Sequence, residues 1–176
     1  MNGTDGEAGS RSRLVAGVLS VLVAVLGLSV TTATDAWASG NGTPDTAFND
    51  NVGTLIDGDV NAVAVQADGK VVVGGTFTTS PGNYLARFNA DGTPDAVFNA
   101  NVGTTLDSPV SAVAVQGDGA IVVGGAFTAP SSALARFNAN GTPDTMCSPA
   151  GGTPFHGTVI SVAVQADGAI VVGGAF

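Results

Sequence analysis

The tetrapeptide Gly-Thr-Pro-Asp occurs at 42–45, 92–95 and 141–144. Val-Ala-Val-Gln follows at 63–66, 113–116 and 162–165, and Val-Val-Gly-Gly at 72–75, 122–125 and 171–174. Leu-Ala-Arg-Phe-Asn-Ala stands at 85–90 and 134–139. A chain that repeats one ordered motif must be copies of one supersecondary unit, each burying its faces against its neighbours. Gln66 to Gln116 is 50 residues and Gln116 to Gln165 is 49. The difference falls in one loop, which is a residue longer after Phe77 than after Phe127. A length change confined to a loop marks that loop as exposed.

Each unit reads as several short strands. Val60 to Gln66 is apolar on both faces apart from Asn61, as suits a strand sandwiched between neighbours. Asp68-Gly69 supplies a tight turn, because Asp and Gly tolerate positive φ. Lys70 to Phe77 is the returning strand, and Asp118-Gly119 and Asp167-Gly168 repeat the hairpin. A Gly74-Gly75 pair weakens a strand, so its recurrence signals a close backbone approach or a bulge. Tyr84 to Phe88 is a third strand, the run from Asn89 to Asp95 is a turn cluster, and a short strand is expected around Phe98. The fold class is therefore all-β and repeat-built. Units of about 50 residues with antiparallel hairpins favour about two and a half blades of a partial β-propeller. A β-solenoid is the alternative, although its coils are shorter and need no such hairpin.

Composition excludes several functions. The net charge is -9, and beyond residue 40 the only basic residues are Lys70, Arg87 and Arg136. Nucleic-acid binding requires clustered Lys and Arg, so nucleic acid is not expected as a partner. A lone Cys147 cannot form a disulfide within the chain, so a packed core must hold the fold. Arg11 and Arg13 precede an apolar run, Leu14–Val30, followed by Ala36-Trp37-Ala38. A basic flank, an apolar core and small residues two apart make a secretory signal over 1–38, cleaved after Ala38. The rival reading is a retained membrane anchor, although the run falls short of the roughly 20 residues that span a bilayer. The expected location is extracellular, secreted or attached to the cell surface, with a membrane partner only if the signal is retained.

Three blocks carry a resemblance. They are Asp-x-x-Phe, then Ala-Val-Ala-Val-Gln-x-Asp-Gly with Val-Val-Gly-Gly, then Leu-Ala-Arg-Phe-Asn-x-(Asp/Asn)-Gly. In this order they resemble the delta-60 repeat, a bacterial β-propeller-like family of uncharacterised function, over 41–176. The resemblance implies a propeller in a secreted or surface protein, and it implies no catalytic residues. The units divide as 41–90, 91–139 and an incomplete 140–176, because Phe176 aligns with Phe77 and Phe127. A closed propeller needs at least about four blades. The expectation is a fragment or truncated frame whose 39–176 segment oligomerises or aggregates through open edges, with self-assembly of partial rings the less favoured alternative.

Asn89, Asp91 and Asp95, with Asn138, Asn140 and Asp144 in the next copy, are weak calcium candidates. Calcium takes six to eight oxygens, and no other cofactor is expected. The competing reading is an Asx-turn, and no Glu closes a twelve-residue calcium loop. Arg87 and Arg136 recur against the Asp45, Asp95 and Asp144 series, which suggests a structural pair locking a strand to the next turn. Cys147 aligns with Phe48 and Phe98, and His156 with Asp57 and Asp107. Two such groups fall short of a zinc site, and the pair is read as drift rather than catalysis. No catalytic residue is assigned. The expected function is a non-catalytic binding or scaffold module for an extracellular protein or glycan, presented on loops 78–83 and 128–133. The alternatives are a piece of a propeller enzyme whose site lies in other blades, or a spacer in a larger surface protein.

Overall fold

The computed structural model describes residues 44–144, 155 and 157–175. The expected signal segment, Cys147, His156 and Phe176 lie outside them. Among the described residues, no helix is long and apolar enough to cross a membrane.

Two complete units have the same order of elements. A short helix α1 (Thr46–Val52) precedes strands β1 (Val60–Val65), β2 (Val71–Gly75) and β3 (Leu85–Phe88). Helix α2 (Ala96–Val102) precedes β4 (Val110–Val115), β5 (Ile121–Gly125) and β6 (Leu134–Phe137). Strands β7 (Thr158–Val164) and β8 (Ile170–Ala175) form the third sheet. Within each sheet the strands lie in sequence order and pair antiparallel. The architecture is three small sheets side by side, a partial β-propeller.

The segment around Phe98 is a helix and not the expected strand. Asp95 is its N-cap, accepting the Phe98 amide at Oδ1 (3.2 Å), and Gly103 closes it with φ +48°. Asp45 does the same for α1, accepting Phe48 N at 3.0 Å. An Asp cap followed eight residues later by Gly is a helix signal, and the helix exposes its purpose in Asn99. The Asn99 side chain accepts from Arg87 N (2.8 Å) and donates to Arg87 O (2.9 Å), so it pairs with the outer edge of β3 as a further strand would. An edge strand is thereby covered without a fourth strand.

Alternation along β2 and β5 explains why every residue there is apolar. Val71 and Val73 face the cluster containing Phe48, Phe77 and Phe88, while Val72 faces the junction with the second sheet. That junction buries Leu85, Phe98, Val102, Leu106, Val110 and Phe127. The first strands converge, with β1 packed against β4 and β4 against β7. The Gly-Gly pair does both things expected of it. A Cβ on Gly75 would lie 1.9 Å from Asp59 O, and one on Gly74 would lie 2.4 Å from Val110 Cγ1 of the next sheet. The partner strand is bulged at the same level, between Val60 and Ala62, and again between Val110 and Ala112 and between Val159 and Ser161.

Candidate functional site

Of the two repeated arginines, Arg136 is the more exposed and Arg87 lies buried, 7% exposed. Its guanidinium reaches Asp95 Oδ2 through Nε (3.1 Å) and Nη2 (2.9 Å), and sits 4.1 Å above the Phe98 ring. Nη1 donates to Gln66 Oε1 (3.1 Å) and to Ala139 O of the next unit (2.8 Å). Lys70 adds a second cation at 3.0 Å from Asp95 Oδ2. Burial pushes the Asp95 carboxyl up, but the Lys70 hydrogen bond, the Phe98 amide and the Arg87 charge outweigh it and hold the pKa below the ordinary value. Arg136 shares the carboxylate and glutamine partners, Asp144 (2.6 Å) and Gln116 (2.5 Å), and differs in also bonding Asp118 (2.5 Å). The Arg–carboxylate pair thus ties the third strand of a unit to the turn and helix after it.

The calcium candidates are divided between two environments. Asp91 Oδ1 accepts from Thr93 N (3.0 Å) and Thr93 Oγ1 (2.7 Å), and Asn89 Nδ2 donates to the same hydroxyl (3.0 Å). The Thr93 hydroxyl and amide lower the Asp91 pKa. Asn140 and Asn138 make the matching bonds to Thr142. Asp95 and Asp144 instead face Arg87 and Arg136. The turn is an Asx-turn with its side-chain oxygens engaged locally. Among the described residues, no three His, Cys, Asp or Glu groups gather as metal ligands.

The loops after β2 and β5 are anchored by one carboxylate each. Asp57 Oδ1 accepts from Thr78 N (2.9 Å) and Thr79 N (3.3 Å), and Asp107 Oδ1 accepts from Thr128 N (2.8 Å) and Ala129 N (3.3 Å). Both carboxyls are lowered, Asp57 first by the Thr78 amide and Asp107 first by the Thr128 hydroxyl. Each loop ends on a residue held at positive φ, Tyr84 (+62°) and Ala133 (+61°). At the first junction the Tyr84 ring packs on the core that contains Leu106. At the second junction Ala133 occupies that place, and a cleft of about 340 Å³ opens there. Phe127, Phe155, Thr128, Ser132 and Thr158 are among its walls. Ser132 Oγ lies 3.4 Å from Phe155 O, where Asn83 Nδ2 bonds Leu106 O at 3.0 Å in the first junction.

A second concavity, of about 160 Å³, lies where β1, β4 and β7 converge. Its walls include the three bulged residues Asn61, Ser111 and Ile160, and Asn61 Nδ2 bonds Val110 O at 2.9 Å across the junction.

Residues 66–98 and 116–145 match the family model described as a domain of unknown function (DUF5122) beta-propeller. No curated protein and no solved structure is matched by the chain. Each matched stretch runs from the end of a first strand to the turn or helix beyond the third. It therefore contains the Gly-Gly pair, the repeated arginine and its aspartate. The loop differences that open the cleft were visible in the sequence as a Tyr84–Ala133 mismatch. Asp95 as a helix cap, and Asn99 as the strand-edge partner, were not singled out, although Asp-x-x-Phe and the following Gly103 carried the signal.

Proposed function

We propose that the chain is part of a secreted or surface β-propeller of the delta-60 repeat type. It acts as a non-catalytic binding or scaffold module for an extracellular protein or glycan. The observation that carries the reading is the cleft at the second junction. The repeated Arg87–Asp95 and Arg136–Asp144 pairs are engaged in holding the third strand of a unit to the turn after it. The cleft arises instead at a position where the copies differ, beside a loop whose length varies. Its walls combine phenylalanine with hydroxyl and backbone groups, which suits a ligand with an apolar face and hydrogen-bonding edges. Export is supported by the basic flank, the apolar run 14–30 and Ala36-Trp37-Ala38.

Ala133→Tyr tests the reading with a native-like change, because Tyr84 already occupies the same backbone conformation. The wild-type chain is expected to retain ligands on glycan and protein arrays. The variant is expected to keep its fold by circular dichroism and to lose affinity by at least about tenfold. Equal binding by the two proteins, or no ligand retained by the wild type, would refute it.

A further inference from the structure

The walls of the second-junction cleft have counterparts in the first junction. The register between them is fixed by matching bonds, Asn83 Nδ2 to Leu106 O and Ser132 Oγ to Phe155 O. Four wall positions are smaller at the second junction. Ala126 stands in the place of Thr76, Ser132 of Asn83, Ala133 of Tyr84 and Gly157 of Ser108. Phe155 in the place of Leu106 goes the other way and adds a second aromatic wall opposite no tyrosine. The truncations gather on one spot.

The first junction shows which group such a spot accepts. Tyr84 is packed against the core that contains Leu106, yet it stays half-buried, so part of the side chain remains in water. Tyr84 and Ala133 have nearly the same φ, +62° and +61°. The two side chains therefore leave equivalent backbone, and the difference between them is a phenol ring.

Given that the cleft is a binding site, as proposed above, we infer that its occupant is the phenol ring of a tyrosine on a partner protein. Phe127 and Phe155 offer ring faces and edges for aromatic contact. Thr128, Ser132 and Thr158 supply hydroxyls for the single polar group of the guest. The described walls carry no carboxylate, amide or guanidinium. A sugar ring would bring several hydroxyls to such walls, and each one left unpaired on burial is costly. The volume of about 340 Å³ suits one ring-sized group, because small-ligand sites span about 300–1,000 Å³. Tyr84 is the single tyrosine of this sequence and is already seated at the first junction, so the ring in the cleft is a guest's.

Methyl-detected NMR titration of the full chain tests it with three probes: p-cresol, the peptide Gly-Gly-Tyr-Gly-Gly and methyl β-D-glucopyranoside. The first two are expected to shift the Ala133, Thr128 and Thr158 methyls saturably, with dissociation constants on the order of millimolar, and to leave Thr78 and Thr79 at the first junction unmoved. The glucoside is expected to bind at least about tenfold more weakly. Ala133→Tyr is expected to weaken the peptide by at least about tenfold, and the methyls that move in the wild type locate the site independently of that variant. Cleft methyls that respond to the glucoside and not to p-cresol would overturn the inference while leaving the cleft a binding site. Response to p-cresol with the peptide excluded would overturn a protein partner. No response to any probe would overturn the inference too, whereas the array measurement with Ala133→Tyr decides separately whether the cleft binds a ligand at all.

Discussion

Arg87→Ala is expected to lower the unfolding free energy by about 1.5–3 kcal/mol, because it removes buried, charge-assisted hydrogen bonds and leaves Asp95 to Lys70. The side chains of Arg87 and Asp95 are 8% and 10% exposed. Alanine would remove the Asp95 partner, the bond to Gln66 and the link to Ala139 O in the next unit. Lys70 would remain beside Asp95 but cannot reproduce the planar fork. Arg136→Ala is expected to cost less, since that side chain is 23% exposed and its Asp118 partner 60%. Urea unfolding of the two variants checks the order. The wild-type advantage also depends on pH. Asp95 has a lowered pKa in the folded chain, so its contribution is full above the unfolded value of 3.8 and is lost as pH falls through the lower folded value. The gap between wild type and Arg87→Ala should narrow in that acid range.

Phe98→Ala is expected to cost about 3–5 kcal/mol, the usual range for truncating a fully buried aromatic. The ring is 0% exposed and belongs to the core between the first and second sheets. Its loss would also remove the surface beneath the Arg87 guanidinium and the wall against which Gly141 packs, where an added Cβ would lie 3.0 Å from Phe98 Cδ2. Val97, one residue earlier on the same helix, is 66% exposed. Val97→Ala should shift stability by no more than about 0.5 kcal/mol. Thermal unfolding followed by circular dichroism separates the two, and similar midpoints would show that α2 is not seated in the junction.

The hairpins were legible because Asp-Gly turns and apolar runs recur at fixed offsets, and a motif repeated in register leaves little freedom in strand order. Gly74-Gly75 was legible for the same reason, since a strand keeps two glycines only where something approaches closely. The helices were not read because seven residues hold only one buried apolar pair, Phe98 and Val102 in α2, too short for a helical period to emerge. The Gly-Gly pairs point to a bulge at this level, but its place on the first strand, at Asn61, Ser111 and Ile160, leaves no mark, because strands apolar on both faces show no broken alternation. Positive φ at Tyr84 and Ala133 has no residue signature, since neither type favours it. The cleft was half legible. The tyrosine-to-alanine difference stood in the sequence, but its consequence depends on the ring's packing against the first junction.

The most direct test of the central account, that the repeats are sheets interlocked by valine on glycine, is a nuclear Overhauser measurement on the folded chain. The Val110 γ1 methyl and the Gly74 α-protons should give a strong cross-peak, as should the Val159 γ1 methyl and Gly124. Absence of both, in a chain whose β1–β2 and β4–β5 hairpin contacts are present, would mean that the hairpins form but do not stack as blades.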